Sequence, residues 1–457
     1  MRVALVRPNM ADVRSTDAMQ PLSFAILASL TPADVQLELM DERVEPIRFD
    51  APADLVAMTV ETFTARNAYQ IAARFRRRGI PVVMGGYHPT LLSEEALQHA
   101  DAVVVGDAEG IWPEVVEDAR AGELRRVYQA AETPSLAGPM PRRDIFRGKR
   151  YAPLNLVQFG RGCRFACDFC SIHAFYGTNL RWRPVEEVVA EIKTLGRRHL
   201  LFVDDNLLAD RGRAEALFRS LIPLRVRWSC QASIDVCREP RLLKLMADSG
   251  CQTMVIGFES LDRRNLQQMN KGWAVQDGDY AASIRKIREH GIMVYGTFVF
   301  GYDYDTAEAF DACVDFALRS RFFLANFNPL TPTPGTALYR RLEAEGRLLH
   351  DRWWLAPEFR YGQALFRPLG MSPAQLAEGC YRARRAFHTF RSIFRRVLDW
   401  RTNCRSPRRL GAFLLGNFIS RREIMRKQGM ALGGAGSLTS EEVEREGHSD
   451  QAQHRPA

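Results

Sequence analysis

The sequence predicts an α/β protein: a doubly wound parallel sheet at the N-terminus, then a partial (β/α)6 barrel, then a helical C-terminal region. Three observations carry this reading. Short β-branched apolar runs alternate with helix-period segments through the first ~120 residues. A second alternation, with six strand candidates, begins at Tyr151. The composition is ordinary for a globular chain, with 46% hydrophobic and 26% charged residues. No apolar run approaches the ~18 residues that a transmembrane helix needs.

A chain of 457 residues is long enough for two or three domains, each with its own core. In the first, residues 1–127, "RVALVRP", "VQLELMDE", "DLVAMTV", "IPVVMGG" and "ADAVVVGD" are bounded by Pro, Gly or Asp, as buried parallel strands are. Between them "ARNAYQIAARFRRRG" puts Ala68, Ile71, Ala72 and Phe75 on one helical face and ends on Gly79, a C-cap. The opening "MRVALVRPNM" reads as a buried strand and not as a signal peptide. Five such strands make a Rossmann-like sheet, which binds ligands at the carboxyl ends of its strands. Residues 128–150 hold three prolines, two glycines and no periodicity, as a linker does.

Residues 151–345 carry the second alternation. Strand candidates are 154–159, 199–204, 226–231, 252–258, 291–299 and 322–328, separated by helices such as "PVEEVVAEIKTLGRR" with Pro184 at its first turn. Residues 346–430 read as helical, and 431–457, polar and Gly/Ser-rich, as a disordered tail.

Nine cysteines is an odd number, and Cys230, Cys237, Cys251, Cys313, Cys380 and Cys404 are isolated. That favours a reducing, cytoplasmic setting, in which thiolates are available to a metal. The other three are gathered in "GCRFACDFCSIH" as C-x3-C-x2-C, directly after the first barrel strand and therefore at the barrel mouth. Two centres fit. Structural zinc would take Cys163, Cys167, Cys170 and His173 as a tetrahedral set, making the chain a zinc-stapled binding protein. A [4Fe–4S] cluster would take the three thiolates alone and leave one iron open to another ligand.

Cys163-x3-Cys167-x-Phe169-Cys170 after the first strand of a β/α barrel resembles the signature of the radical S-adenosylmethionine (SAM) superfamily. The resemblance implies that SAM binds the open iron, and that an electron from an external donor such as flavodoxin or ferredoxin cleaves it. The product would be a 5′-deoxyadenosyl radical that takes hydrogen from substrate. On the same resemblance the SAM-binding candidates are Phe169, then Asp204, Asp205 and Asn206 in "FVDDN", and Glu259 in "IGFES". "FVFGYDYDT" and "NPLTPTPGTALY" resemble family segments at strands five and six that shape the mouth.

The domain before the barrel resembles the cobalamin (B12)-binding subfamily through "PLSFAILASL", "MTVETFTARNA", "GGYHPTLLSEEAL" and "VVVGDAEGIWPEV". The cobalamin-facing candidates are Thr59, Gly85, Gly86, His88, Gly106 and Glu109. The segment after the first strand, "NMADVRSTDAMQP", has no His, and His88 follows the fourth strand, so cobalamin would bind without a protein imidazole. The alternative is a scaffold that has lost the cofactor. With both cofactors, the resemblance implies a C-methyltransferase acting on an unactivated carbon. A cyclase, oxidoreductase or rearrangement enzyme of the same architecture is the alternative.

The net charge of +9 is concentrated in one place. Residues 381–430 hold thirteen Arg and one Lys against Asp399 and Glu423, a local +12. In "RLGAFLLGNFISRREIMRKQG" arginines are interleaved with Leu, Phe and Ile. That pattern suits peripheral contact with an anionic membrane, and a lipid, pigment or natural-product substrate would fit it. The plainer reading is a helix packed on the barrel with solvated arginines. No appended nucleic-acid-binding module is visible.

Overall fold

The computed structural model describes residues 1–11, 14–15, 17–196, 199–275 and 279–433, and the expected tail from 434 onward lies outside them. The chain forms two compact units. One comprises residues 1–152 with 350–361 and the segment from 430; the other comprises 153–349 and 362–429.

The first unit is a parallel sheet of six strands: β1 (Arg2–Arg7), β2 (Gln36–Asp41), β3 (Leu55–Thr59), β4 (Val82–Gly85), β5 (Ala102–Val105) and β6 (Val127–Gln129). Their order is β2-β1-β3-β4-β5-β6. The five expected strands are present, and β6 adds an edge strand where the linker was expected to begin. It is three residues long and offers only Tyr128 to the core, too short to show a period. Val3 to Val6, Leu55 to Met58 and Val82 to Met84 are buried on both faces of the sheet. The helix Ala65–Arg76 turns Ala68, Ile71, Ala72 and Phe75 inward as its period requires, and Gly79 follows at φ +73°. Residues 350–361 add Trp353 and Trp354, both buried, to this unit; the Trp353 ring lies 4.8 Å from that of Phe63.

The second unit carries β7 (Asn155–Val157), a short antiparallel ribbon of β8 (Gly160–Arg161) with β9 (Arg181–Trp182), then β10 (His199–Phe202), β11 (Arg227–Gln231), β12 (Cys251–Glu259), β13 (Met293–Phe300) and β14 (Leu324–Pro329). The parallel order β7-β10-β11-β12-β13-β14 follows the chain, with a helix between most neighbours, which is an open (β/α)6 arc. Its core is aromatic: Phe298 stacks on Phe327 at 5.4 Å, and Phe258 on Phe322 at 5.2 Å. Gly296 leaves room for that stack, because a Cβ there would stand 2.3 Å from the Phe322 ring.

Three helices, Pro373–Phe387, Phe390–Val397 and Pro407–Lys427, complete the second unit. The expectation of solvated arginines here is corrected in part: Arg384 and Arg396 are buried. Arg396, 0% exposed, donates to the carbonyls of Phe322, Phe323 and Phe387, to Asn417 Oδ1 and to Ser392 Oγ. Burial pulls its pKa down to about 9. Among the described residues no helix is long and apolar enough to cross a membrane.

His388 is buried, with Nδ1 2.9 Å from the carbonyl oxygen of Arg384, which can only accept. Burial, the largest influence, takes its pKa down to about 4, and Arg396 and Arg421 push the same way. A histidine held neutral in the fold contributes stability above its ordinary pKa of ~6.5 and loses it as pH falls toward 4. The melting temperature should therefore drop across that window. His388→Asn, which keeps a donor for Arg384, should flatten the drop in thermal melts recorded against pH.

Candidate active site

The stretch leading into the cysteines is held by two acids that follow β10. The amide of Phe159 donates to Asp204 Oδ2 at 3.0 Å, that of Gly160 to Asp204 Oδ1, and that of Gly162 to Asp205 Oδ2 at 2.8 Å. Asp204 is 4% exposed, and burial pushes its carboxyl up to about 7 against the pull of the two amides. Glycine is required on this path. A Cβ at Gly162 (φ +92°) would stand 2.3 Å from the Asn179 carbonyl, and one at Gly160 would stand 2.7 Å from the Trp182 ring. Both Asp204 oxygens thus serve the backbone, so the structure makes Asp204 a positioning residue for the loop.

The three thiols lie on one loop. Asn206 Nδ2 is 3.7 Å from Cys163 Sγ and 3.3 Å from Ser233 Oγ. Cys167 is buried, and burial drives its thiol pKa up to about 12. Cys170 precedes the helix Ser171–Tyr176; burial raises its pKa while the amides of His173 and Ile172, pointing at the sulfur, oppose the rise. Neighbouring contacts pin the loop. Tyr302 donates its hydroxyl to Asp168, Phe169 meets the Tyr302 ring edge-on at 6.5 Å, and Phe165 stacks on Trp273 at 3.5 Å.

The end of β12 supplies a charge pair. Glu259 Oε1 accepts from Lys271 Nζ at 2.8 Å, and both side chains are buried. Burial works to lower the Lys271 pKa, but Glu259, Cys167 and Cys170 outweigh it and hold the ammonium charged. Glu259 adopts φ +64°, and Gly257 leaves the space: a Cβ there would meet Glu259 Oε1 at 2.1 Å and Lys271 Nζ at 2.9 Å. Sequence reasoning missed Lys271. It stands alone in an "NKG" turn beyond the helix Arg263–Gln268, with no motif around it.

The donor set suits a cluster. Among the described residues no three His, Cys, Asp or Glu side chains converge closely enough to hold a single ion, and His173 Nδ1 faces the Gly177 carbonyl at 3.2 Å. A four-iron cube needs thiolates held apart by its own width. A thiol as buried as Cys167 ionises only beside strong positive charge, which the irons of a cluster would supply and Lys271 would reinforce.

In the first unit Thr59, Gly85, Gly86 and Gly106 gather at the carboxyl ends of β3, β4 and β5. Gly86 adopts φ +104°, and a Cβ there would crowd Thr59 Oγ1 and the Val60 carbonyl, each at 3.0 Å. Gly106 (φ +81°) donates its amide to Thr90 Oγ1 at 3.0 Å, and Glu109 is half-buried in the loop that follows. These glycines leave backbone bare at adjacent strand ends, as a bulky planar ligand needs. His88 does not join them. Its ring is 0% exposed, with Nε2 3.0 Å from Tyr69 Oη and 3.1 Å from Glu95 Oε1, and Trp354 Nε1 donates to the same carboxylate at 2.9 Å.

The radical SAM superfamily model matches residues 157–317, and the B12 binding domain model matches 17–116. The chain is 31% identical over 405 residues to the bacteriochlorophyllide d C-12(1)-methyltransferase of Chlorobaculum tepidum, covering 85% of this chain and 88% of that protein. It is 29% identical over 354 residues to the C-8(2)-methyltransferase of the same organism, covering 73% and 78%. A radical SAM methyltransferase structure from Kitasatospora setae, with cobalamin and a [4Fe–4S] cluster bound, shares the fold at a TM-score of 0.61 and 19% identity, over 83% of this chain and 81% of that one. The chain belongs to the radical SAM superfamily, in the branch that carries a B12 binding domain ahead of the radical SAM domain.

Alanine at Cys163, Cys167 or Cys170 is expected to abolish cluster assembly, read as iron and sulfide content after anaerobic reconstitution. Any such variant that kept a full cluster and cleaved SAM would remove that thiol from the set. Lys271→Met should leave Glu259 buried and unpaired, at a cost of about 3–5 kcal/mol. Adding Glu259→Gln should restore the melting temperature. The reduction potential of the cluster should fall below the wild-type value in Lys271→Met and recover toward it when Glu259→Gln is added, as followed by electron paramagnetic resonance.

Proposed function

We propose that the protein is a cobalamin-dependent radical SAM C-methyltransferase that methylates an unactivated carbon of a tetrapyrrole pigment. The observation that carries this reading is the 31% identity, spread over 85% of the chain, to a relative named as a bacteriochlorophyllide methyltransferase. When bound, the cluster with SAM supplies a hydrogen-abstracting radical, and cobalamin supplies the methyl group.

The chain's own part is binding, orientation and charge. Cys163, Cys167 and Cys170 are the thiols that would hold the cluster, with no fourth protein ligand assigned so that SAM could bind there. Asn206 directs an N–H at the Cys163 sulfur, and Lys271 offsets negative charge beside Cys167 and Cys170. Phe169, Asp205 and Glu259 are the groups we assign to SAM, with Asp204 holding the loop that presents the thiols. Thr59, Gly85, Gly86, Gly106 and Glu109 are those we assign to cobalamin; His88 is enclosed and would not supply it with an imidazole. An external flavodoxin or ferredoxin provides the electron. Thiols kept free for iron suit a cytoplasmic setting.

The test is anaerobic turnover of the reconstituted, cobalamin-loaded enzyme with a chlorin or bacteriochlorin carboxylate. Methyl transfer yields 5′-deoxyadenosine, S-adenosylhomocysteine and a product heavier by one CH2. Deoxyadenosine without S-adenosylhomocysteine, accompanied by a different mass change, would instead establish a cyclisation, oxidation or rearrangement.

A further inference from the structure

The C-terminal helices of the second unit are inverted relative to an ordinary surface helix. In Phe390–Val397 the arginine Arg396 is fully buried, while Phe390 and Phe394 are 63% and 67% exposed. The outward apolar set continues through Leu398 and Trp400, the latter 75% exposed. On the helix Pro407–Lys427, Leu415 and Phe418 also face outward, and the Phe418 ring lies 6.2 Å from that of Phe390, so the two helices share one patch. Monomeric proteins rarely present so many large apolar side chains together unless something covers them.

The exposed charges of residues 381–430 have one sign. Arg391, Arg395, Arg401, Arg405, Arg408 and Arg422 are exposed. The only acids of residues 381–430, Asp399 and Glu423, are both buried and paired, with Arg288 at 2.9 Å and with Lys427 at 3.3 Å. The exposed arginines of the region therefore stand with no exposed acid from the region itself. A second copy of the chain would bring the same positive charge and be repelled. A surface that is anionic in its outer layer and apolar beneath satisfies both features: arginines meet the headgroups, and Phe, Leu and Trp enter the acyl boundary.

We infer that this face, built on Phe390, Phe394, Leu398 and Trp400 with its ring of arginines, docks the protein on an anionic lipid bilayer. The helix lies in the plane of the interface and does not cross it. Trp400 stands at the level where indoles are favoured, with an apolar ring and a polar N–H. The inference is independent of the cofactors and of the proposed substrate.

The experiment is co-sedimentation of the full-length protein with vesicles of phosphatidylcholine alone or of phosphatidylcholine with phosphatidylglycerol. Partition into the mixed vesicles should be at least roughly tenfold stronger and should weaken with added salt. Phe394→Asp with Trp400→Asp, and separately Arg391→Glu with Arg395→Glu, should each lower partition by about tenfold. Their melting temperature and iron content should stay at wild-type values, since these side chains are exposed. Equal partition into the two vesicle types, or variants that bind as the wild type does, would overturn the inference. So would tighter binding to single-stranded RNA than to vesicles, or a dimer that Trp400→Asp dissociates.

Discussion

Two consecutive carboxylates decide where the cysteines stand. Asp204 and Asp205 follow β10 and accept three backbone amides, those of Phe159, Gly160 and Gly162, from the segment between β7 and Cys163. That segment has left the parallel sheet for the short β8–β9 ribbon, and without these acceptors its buried amides would lose hydrogen bonds worth about 1–3 kcal/mol each. Burial raises the Asp204 carboxyl to about 7, while the amides of Phe159 and Gly160 favour its ionised form and pull the other way. The return is rigidity at the residue immediately before the first thiol. A cluster held at only three corners would have no fourth protein ligand to correct a misplaced loop, and the backbone leading into it would need to be fixed beforehand.

The same geometry shapes the charge in the site. Thiols ionised by a bound cluster would add negative charge beside Glu259 in a buried region, and Lys271 is the buried cation beside Cys167, Cys170 and Glu259. Its placement depends on strain elsewhere. Glu259 takes a left-handed φ of +64°, which for a non-glycine residue costs about 1–3 kcal/mol. Gly257 forgoes a side chain so that the carboxylate and ammonium can share its space. Strain of this kind persists where the surrounding structure over-determines it, and here the pair lies against the thiols.

Most of the scaffold was legible in the sequence because parallel strands buried on both faces leave continuous β-branched runs. "DLVAMTV" and "IPVVMGG" became β3 and β4, and all six strand candidates of the second alternation formed. The cysteine loop was legible from spacing. Asp204 and Asp205 were legible as a motif, but their bonds to the backbone were not: an acid that binds a ligand and an acid that binds backbone amides look identical until the amides are seen. His88 was misread for a similar cause. It sits in a loop motif near strand-end glycines, yet its ring turns inward to Tyr69 and Glu95, and a residue's neighbours in sequence do not reveal that rotation. Lys271 left no signal, because a lone lysine in a turn is ordinary until the chain brings it beside Cys167.

The C-terminal helices show how one buried group can dictate what the opposite face exposes. All five N–H donors of Arg396 are satisfied, and none by a carboxylate; four acceptors are oxygens of Phe322, Phe323, Phe387 and Asn417, and the fifth is Ser392 Oγ. The guanidinium also lies 3.8 Å over the Phe387 ring, which adds a cation–π contribution. At about 100° per residue, a helix that points Arg396 inward turns Phe394 roughly 200° away from it. Rotating the helix to bury Phe390 and Phe394 would expose Arg396 and leave the carbonyls of Phe322 and Phe323 without their shared donor. The outward aromatics are therefore a consequence of how the helix is anchored to the start of β14. An anchor that gathers apolar rings on one outward face suits a protein in which that face is covered.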